Sequence, residues 1–338
     1  MIAAAERKRM CYNYLHNLMV DEGRWGRLII SASRRTDIPT YYSEWFFNRI
    51  REQYVFVRNP LNSRQVSRIS LSPDVVDCIV FWTKNPKPML EKLDRLDGYA
   101  YYFQFTLTAY GRDAEQNVPP KGSEVLDTFK RLSDRIGRER VIWRYDPIFL
   151  SDQYSLEYHC QTFGEFARQL KDYTEKCTVS FIDEYQKIER RIAPLHIYPM
   201  DDSRKTHVAR TLSGIAKEYG LRIDLCAEEL DLEPFGITPA SCIDGKLVER
   251  IIGCPITVGK DKNQRAACGC AASIDIGSYD TCLNGCLYCY ANRNPSSVKR
   301  RVSQYDADAP LLCSRLEEMD RLSERPVSSL RNNQLNLF

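Results

Sequence analysis

Residues 77–108 read DCIVFWTKNPKPMLEKLDRLDGYAYYFQFTLT. The stretch opens on a β-rich apolar run, 77–83, and closes on another, 101–108. Between them, residues 86–97 follow a helical pattern. Strand, helix, strand in this order is the βα repeat that builds parallel sheets and barrels.

The alternation extends in both directions. Further strands are expected at 28–33, 140–146, 178–183 and 222–226, and helices at 41–52, 122–136, 155–173 and 204–219. A β-rich pair, 54–57 with 65–71, reads as a hairpin inserted after the first helix. Six parallel strands with intervening helices predict an α/β fold, a partial six-stranded parallel β/α barrel. Several of these strands end in polar residues: Ser33-Arg34-Arg35-Thr36-Asp37, Thr83-Lys84-Asn85, Thr106-Leu107-Thr108, Arg144-Tyr145-Asp146 and Asp183-Glu184-Tyr185. The C-terminal strand ends of βα barrels form the active-site face, so these residues are expected to converge on one mouth. Any one of them alone could cap a helix or close a salt bridge at the edge of the core. Repetition over five strands favours a site.

The 338 residues carry a net charge of +3, which permits nucleic-acid contact without arguing for it. Residues 1–10, MIAAAERKRM, lack the apolar core of a signal peptide, and no apolar run approaches membrane-spanning length. A cytoplasmic protein with no membrane partner is expected. In a reducing compartment, clustered cysteines mean metal rather than disulfides. Of the 13 cysteines, Cys11, Cys78, Cys160, Cys177 and Cys313 are isolated. The other eight, Cys226, Cys242, Cys254, Cys268, Cys270, Cys282, Cys286 and Cys289, crowd together.

Three of the eight fall in Thr281-Cys282-Leu283-Asn284-Gly285-Cys286-Leu287-Tyr288-Cys289-Tyr290, spaced x3 then x2. That spacing folds three thiolates around one side of a cubane 4Fe–4S cluster and leaves the fourth iron without a protein ligand. An open iron can chelate the amino and carboxylate groups of S-adenosylmethionine, and a reduced cluster can then split the cofactor to an adenosyl radical. A zinc knuckle, or an ordinary cluster with its fourth ligand from elsewhere, is the alternative reading. Five cysteines remain, and a second iron–sulfur cluster needs four. Cys268 and Cys270 offer two thiolates and Cys226 and Cys242 the others, with Cys254 spare or standing in for one of that last pair.

With Tyr288 just before its last cysteine, this loop resembles the signature of radical S-adenosylmethionine enzymes, whose core is a six-stranded partial barrel. The resemblance implies a catalytic 4Fe–4S cluster, bound S-adenosylmethionine and an electron donor such as a flavodoxin or ferredoxin. Thr83, Lys84, Arg144 and Asp146 are then expected to orient the cofactor's carboxylate and ribose. Arg34, Arg35 and Asp37 should do likewise or touch substrate, and Tyr145, Tyr185 and Tyr279 are candidates for returning a hydrogen atom. In most such enzymes the cysteine loop follows the first strand, whereas here it follows the sixth. Either the fold is circularly permuted or residues 273–289 reach back over the mouth. The reach-back is favoured, because 28–33 already supply a first strand.

Residues 31–39 (SASRRTDIP), 81–86 (FWTKNP), 141–147 (VIWRYDP) and 268–292 resemble the domain-of-unknown-function 1848 family, over roughly 28–292. A fainter resemblance, carried by Thr83-Lys84, Thr106-Leu107-Thr108, Pro119-Pro120 and Asp146-Pro147, is to spore photoproduct lyase. That family repairs a thymine dimer by abstracting a hydrogen from it. The last residues, Gln334-Leu335-Asn336-Leu337-Phe338, are similar to the peptide by which bacterial replication and repair proteins bind the sliding clamp. In that mode Leu337 and Phe338 fill an apolar cleft while Gln334 bonds at its rim. Docking of the two on this protein's own surface is the plain alternative.

The expected organisation is a helical extension at 1–27, the barrel at 28–226, a Cys-rich segment at 227–292 covering the mouth, and a polar tail at 293–338 with a short helix at 315–325. The expected function is radical chemistry, with damaged or modified nucleic acid as substrate. The rivals are a radical enzyme for a peptide or small metabolite, and a non-enzymatic iron–sulfur or zinc binding protein recruited through its tail.

Overall fold

The structure, a computed structural model, describes residues 28–183 and 186–325. Its strands are β1 (Leu28–Ala32), β2 (Tyr54–Arg58), β3 (Gln65–Ser70), β4 (Val76–Thr83), β5 (Tyr101–Thr106), β6 (Val141–Ile148), β7 (Lys176–Phe181), β8 (Arg222–Leu225), β9 (Thr238–Pro239), β10 (Ile274–Asp275) and β11 (Arg321–Glu324). Eight of them form one sheet in the order β10-β1-β4-β5-β6-β7-β8-β9, parallel throughout. The six expected strands make its middle. The sheet is open, and β9 and β10 supply its two edges. Two residues carry no periodic signal, so sequence could not show either edge. Pro239 is tolerated there because an edge strand has no outer neighbour that needs its missing N–H.

Alternate residues of the central strands face different layers. Phe81, Phe103, Phe105 and Trp143 pack under the helices Ser43–Glu52, Ser123–Ile136, Leu156–Leu170 and Asp202–Glu218 in the main core. Cys78, Val80, Tyr102 and Ile142 face the other way. They pack against Cys242, Ile243, Leu247, Val248, Cys268 and Cys270. The Cys-rich segment is therefore the second covering layer of the sheet and does more than roof its mouth. Burial on both faces is why strands such as 77–83 read as continuous apolar runs. Caps start the helices where expected: Ser155 accepts from Tyr158 N and Asp201 from Arg204 N. The expected helix at 86–97 is instead a single turn, Lys87–Leu90, followed by a 3₁₀ turn, Leu93–Leu96.

The hairpin forms as expected, β2 antiparallel to β3. Its third strand was not foreseen: β11 pairs parallel with β3, where a helix was expected over 315–325. Tertiary contacts override the helical pattern here. Arg58 forms a two-pronged bridge to Asp320 and donates to Arg315 O at 2.8 Å, and Arg321 N donates to Arg64 O at 2.7 Å. The preceding stretch docks on the helix Ser43–Glu52, with Trp45 Nε1 donating to Ala309 O at 2.8 Å and Arg49 Nη2 to Asp308 O at 2.7 Å. The expected extension at 1–27 and the peptide 334–338 lie outside the described residues, as does Tyr185. Among the described residues no helix is long and apolar enough to cross a membrane.

Candidate functional site

All eight strands of the sheet point the same way, so one edge collects their C-terminal ends. The cysteine loop returns to this edge through β10, which pairs with β1. Asp275 fastens the junction. Its carboxylate accepts from Ser31 Oγ (2.6 Å), Ser33 Oγ (2.7 Å), Arg34 N (2.8 Å) and Gly277 N (3.0 Å). A Cβ at Gly277 would lie 2.0 Å from Ser33 Oγ, so only glycine lets the two segments pass so closely. The segment reaches back to the sheet, pairing with β1 at its edge just before the loop.

The loop then lies against the ends of β1, β4 and β5. Asn284 donates to Asp37 Oδ2 at 3.1 Å and accepts from Tyr41 OH at 2.9 Å. Tyr42 OH donates to Thr281 O, Asn117 Nδ2 to Leu283 O and Asn292 Nδ2 to Cys282 O. Gly285, at φ +66°, turns the chain so that Cys286 bridges to Glu115. Cys282 and Cys286 are buried, and Cys289 is partly so. Burial first, then the neighbouring Cys289 and Asp37 charges, push the Cys282 thiol up to about 12, against backbone N–H groups that favour the thiolate. Burial also raises Cys286, with Lys84 opposing. The Cys282 and Cys286 thiols, so raised, become thiolates only in the company of a cation.

Lys84 donates to Glu115 Oε1 at 2.8 Å and to Tyr288 OH at 3.1 Å. Glu115 is fully buried and also bonds Lys121, Tyr288 and Thr108. Burial alone would raise its carboxyl, but the ammonium groups of Lys84 and Lys121 hold it down at about 2. Glu115 escaped the sequence reading because it sits in the irregular stretch after β5, with no spacing to single it out. Asp275 and Asn284 were missed for the same reason.

The other expected cofactor residues are engaged with protein partners. Thr83 Oγ1 meets Thr40 Oγ1 (3.2 Å) and accepts from Asn85 N (3.1 Å). Asp37 accepts from Thr40 N and Lys84 N as well as Asn284. Burial raises its carboxyl despite these bonds. Arg35 donates to Gly277 O and lies over the Tyr279 ring at 5.1 Å. Arg144 bonds Asp146 through Nε and Nη2, while Nη1 reaches Gln104 Oε1 (3.3 Å) and Cys242 Sγ (2.8 Å). Asp146 takes Ser180 Oγ on its other oxygen. Tyr145, a candidate hydrogen donor, is buried with its hydroxyl 2.7 Å from His159 Nδ1, whereas Tyr279 is exposed.

The second cysteine group also assembles. Cys226 Sγ lies 3.2 Å from Cys242 Sγ, Cys242 is hydrogen-bonded with Cys270, and Cys270 with Cys268. The bond from Cys270 favours the Cys268 thiolate and brings that thiol down to about 7. Cys254 Sγ instead donates to Ile252 O at 3.7 Å. Among the described residues no group of three or more His, Cys, Asp or Glu stands ready to hold a metal ion.

The fold and site define a parallel α/β protein with two sets of largely buried cysteines at and beneath its strand ends. The chain belongs to the family described as a domain of unknown function (DUF1848), whose model matches residues 29–291. That span agrees with the 28–292 expected from its motifs. No curated protein shows significant similarity to it.

Proposed function

We propose that this chain is a radical S-adenosylmethionine enzyme, its open sheet serving as the partial barrel of that class. The observation that carries the reading is the placement of Cys282, Cys286 and Cys289, three thiols in x3–x2 spacing, the first two buried and the third partly so, at the C-terminal edge of the sheet. Their donor chemistry fits a 4Fe–4S cluster, which would supply the electron and the open iron position for S-adenosylmethionine. This chain's own residues do the rest. Asn284 and Asp37 tie the loop to β1 and β4, and Lys84 places a positive charge beside Cys286. Burial of the loop keeps water from the thiolates. Anaerobic reconstitution followed by an assay for 5′-deoxyadenosine tests the reading. A reduced, iron-loaded protein that forms none would overturn it.

Nucleic acid is the substrate first carried, on the resemblance to spore photoproduct lyase and on the terminal peptide. Capture of purified sliding clamp by the wild-type chain, lost on changing Leu337 and Phe338 to alanine, would support it. A second substrate class is favoured by one feature of the surface. A crevice of about 490 Å³ opens beside the ends of β8 and β9 and is lined by Glu228, Glu229, Asp231 and Glu233. Glu228 is paired with Lys205 at 3.1 Å, and the carboxylates of Glu229, Asp231 and Glu233 beside it disfavour a phosphate backbone and suit a peptide or a cationic metabolite. If no clamp is captured, that class moves ahead.

A further inference from the structure

We propose that Cys226, Cys242, Cys268 and Cys270 hold a soft-metal centre of their own, and that Arg144 and Arg34 are the N–H donors that hold charge on its sulfurs. Of the function proposed above, it takes over only the premise that clustered thiols here are ligands. The radical chemistry is not required.

The four sulfurs come from three separate segments, and the structure invests much in bringing them together. Cys242 is pinned through its carbonyl, which accepts from Tyr102 OH at 2.7 Å and Gln104 Nε2 at 2.8 Å, both on β5. Ser241 Oγ donates to Gly269 O at 2.8 Å, and Ala271 N to Ile243 O at 2.9 Å, which sets Cys242 beside Cys270. A Cβ on Gly269 would lie 2.6 Å from Ser241 Oγ, so glycine eases the approach of these two segments. Ile243 N donates to Cys270 Sγ at 3.4 Å.

The surroundings are those of thiolates rather than of neutral, apolar thiols. A buried guanidinium needs anionic or well-placed acceptors, and a thiol sulfur is a weak one. Yet Arg144 spends Nη1 on Cys242 Sγ at 2.8 Å. Arg34 stacks on Trp82 at 5.3 Å and lies 3.6 Å from Asp261, while its Nη2 is buried with no hydrogen-bond partner. Cys270 and Cys242 lie within electrostatic reach of this guanidinium. Four thiolates on a metal carry the negative charge that would employ that idle N–H. The spacing also suits a modest opening. Thiolates at about 2.3 Å from one tetrahedral ion stand ~3.8 Å apart, so the 3.2 Å contact must widen by about half an ångström. A cubane, each of whose irons takes one thiolate, needs the sulfurs further apart. Zinc, a single iron or a cluster share the same ligand chemistry.

The test uses the full chain with Cys282, Cys286 and Cys289 all changed to alanine, so that only the second group can bind. Elemental analysis of the purified, folded variant should find metal: one zinc or one iron for a tetrahedral site, about four irons for a cubane. A folded variant with neither overturns the centre, whatever the 5′-deoxyadenosine assay shows for the wild type. On the same background Arg144→Gln should release its metal to a competing chelator at 10- to 100-fold lower chelator concentration, as expected for an outer hydrogen-bond partner. Arg144→Lys should restore much of the loss. Should Arg144→Gln fail to fold, Arg34→Gln is read the same way. Gln variants that hold metal as tightly as their parent overturn the role of the arginines.

Discussion

The hydroxyl of Tyr288 donates to Glu115 Oε1, the oxygen that also receives Lys84 Nζ at 2.8 Å and Thr108 Oγ1 at 2.6 Å. Glu115 thus joins the cysteine loop to the ends of β4 and β5 through one buried carboxylate. Glu115→Gln would leave the Lys84 and Lys121 ammonium groups without their counter-charge. A loss of about 3–5 kcal/mol in urea unfolding at pH 7 is expected. Because the folded carboxyl is held at about 2, below an unfolded value of roughly 4.3, its contribution is present above pH ~4.3 and fades as pH falls towards 2. The gap between wild type and Glu115→Gln should narrow over that window. A constant gap would remove the ion cluster as its cause.

His159 gives a second pH signature. It is fully buried, with Nδ1 accepting from Tyr145 OH at 2.7 Å and Nε2 donating to Phe149 O at 3.0 Å, an arrangement that needs the neutral ring. Burial lowers it to about 4. The unfolded chain takes up a proton near 6.5, so stability should fall as pH drops from 6.5 to about 4, by roughly 3 kcal/mol in all. In His159→Gln that slope should vanish. A wild-type protein of equal stability at pH 6.5 and pH 4 would contradict the assignment.

Asp275 should matter more to the loop than to the rest of the fold. Asp275→Ala removes the acceptor for four donors, leaves Ser31 Oγ without its acceptor in the interior and leaves Ser33 Oγ only the bond it accepts from Arg35 N. About 2–4 kcal/mol should be lost. Reaction of Cys282 and Cys286 with a thiol reagent should speed up more than that of Cys177, which lies in the main core. Uniform acceleration at all three would mean global unfolding instead. Gly277→Ala, with its Cβ driven onto Ser33, should behave in the same way.

For the loop itself, adding S-adenosylmethionine to the reduced, iron-loaded protein should perturb the electron paramagnetic resonance signal. Alanine at Cys282, Cys286 and Cys289 should abolish cofactor cleavage. An unchanged signal would mean that no iron is open.

Sequence disclosed the parts of this molecule that repeat. The runs at 77–83 and 101–108 were legible because strands covered on both faces are apolar throughout, and the spacing of Cys282, Cys286 and Cys289 is local. The edges of the sheet were not legible, since Thr238–Pro239 and Ile274–Asp275 are too short to show a period. The gathering of Cys226, Cys242, Cys268 and Cys270 followed from counting thiols, but nothing in their spacing ranked them above Cys254. Arg144, expected at a strand end, lies inside β6 (Val141–Ile148), and its guanidinium is taken up by protein partners. Its tie to Asp146 is local, but its tie to Cys242 spans 98 residues, which no window of sequence contains.

The pairing of β10 with β1 also sets an order of events at the ribosome. Ser31 waits for Asp275, 244 residues later in synthesis, before its strand gains an outer neighbour. At about 5–20 residues per second this delay is on the order of ten seconds to a minute, time enough for the central strands and their helices to fold. The cysteine loop emerges only afterwards, onto a socket already built by Asp37, Tyr41, Tyr42 and Glu115. The three thiols thereby meet a nearly finished protein, and a truncated chain that stops short of residue 274 never displays them at all.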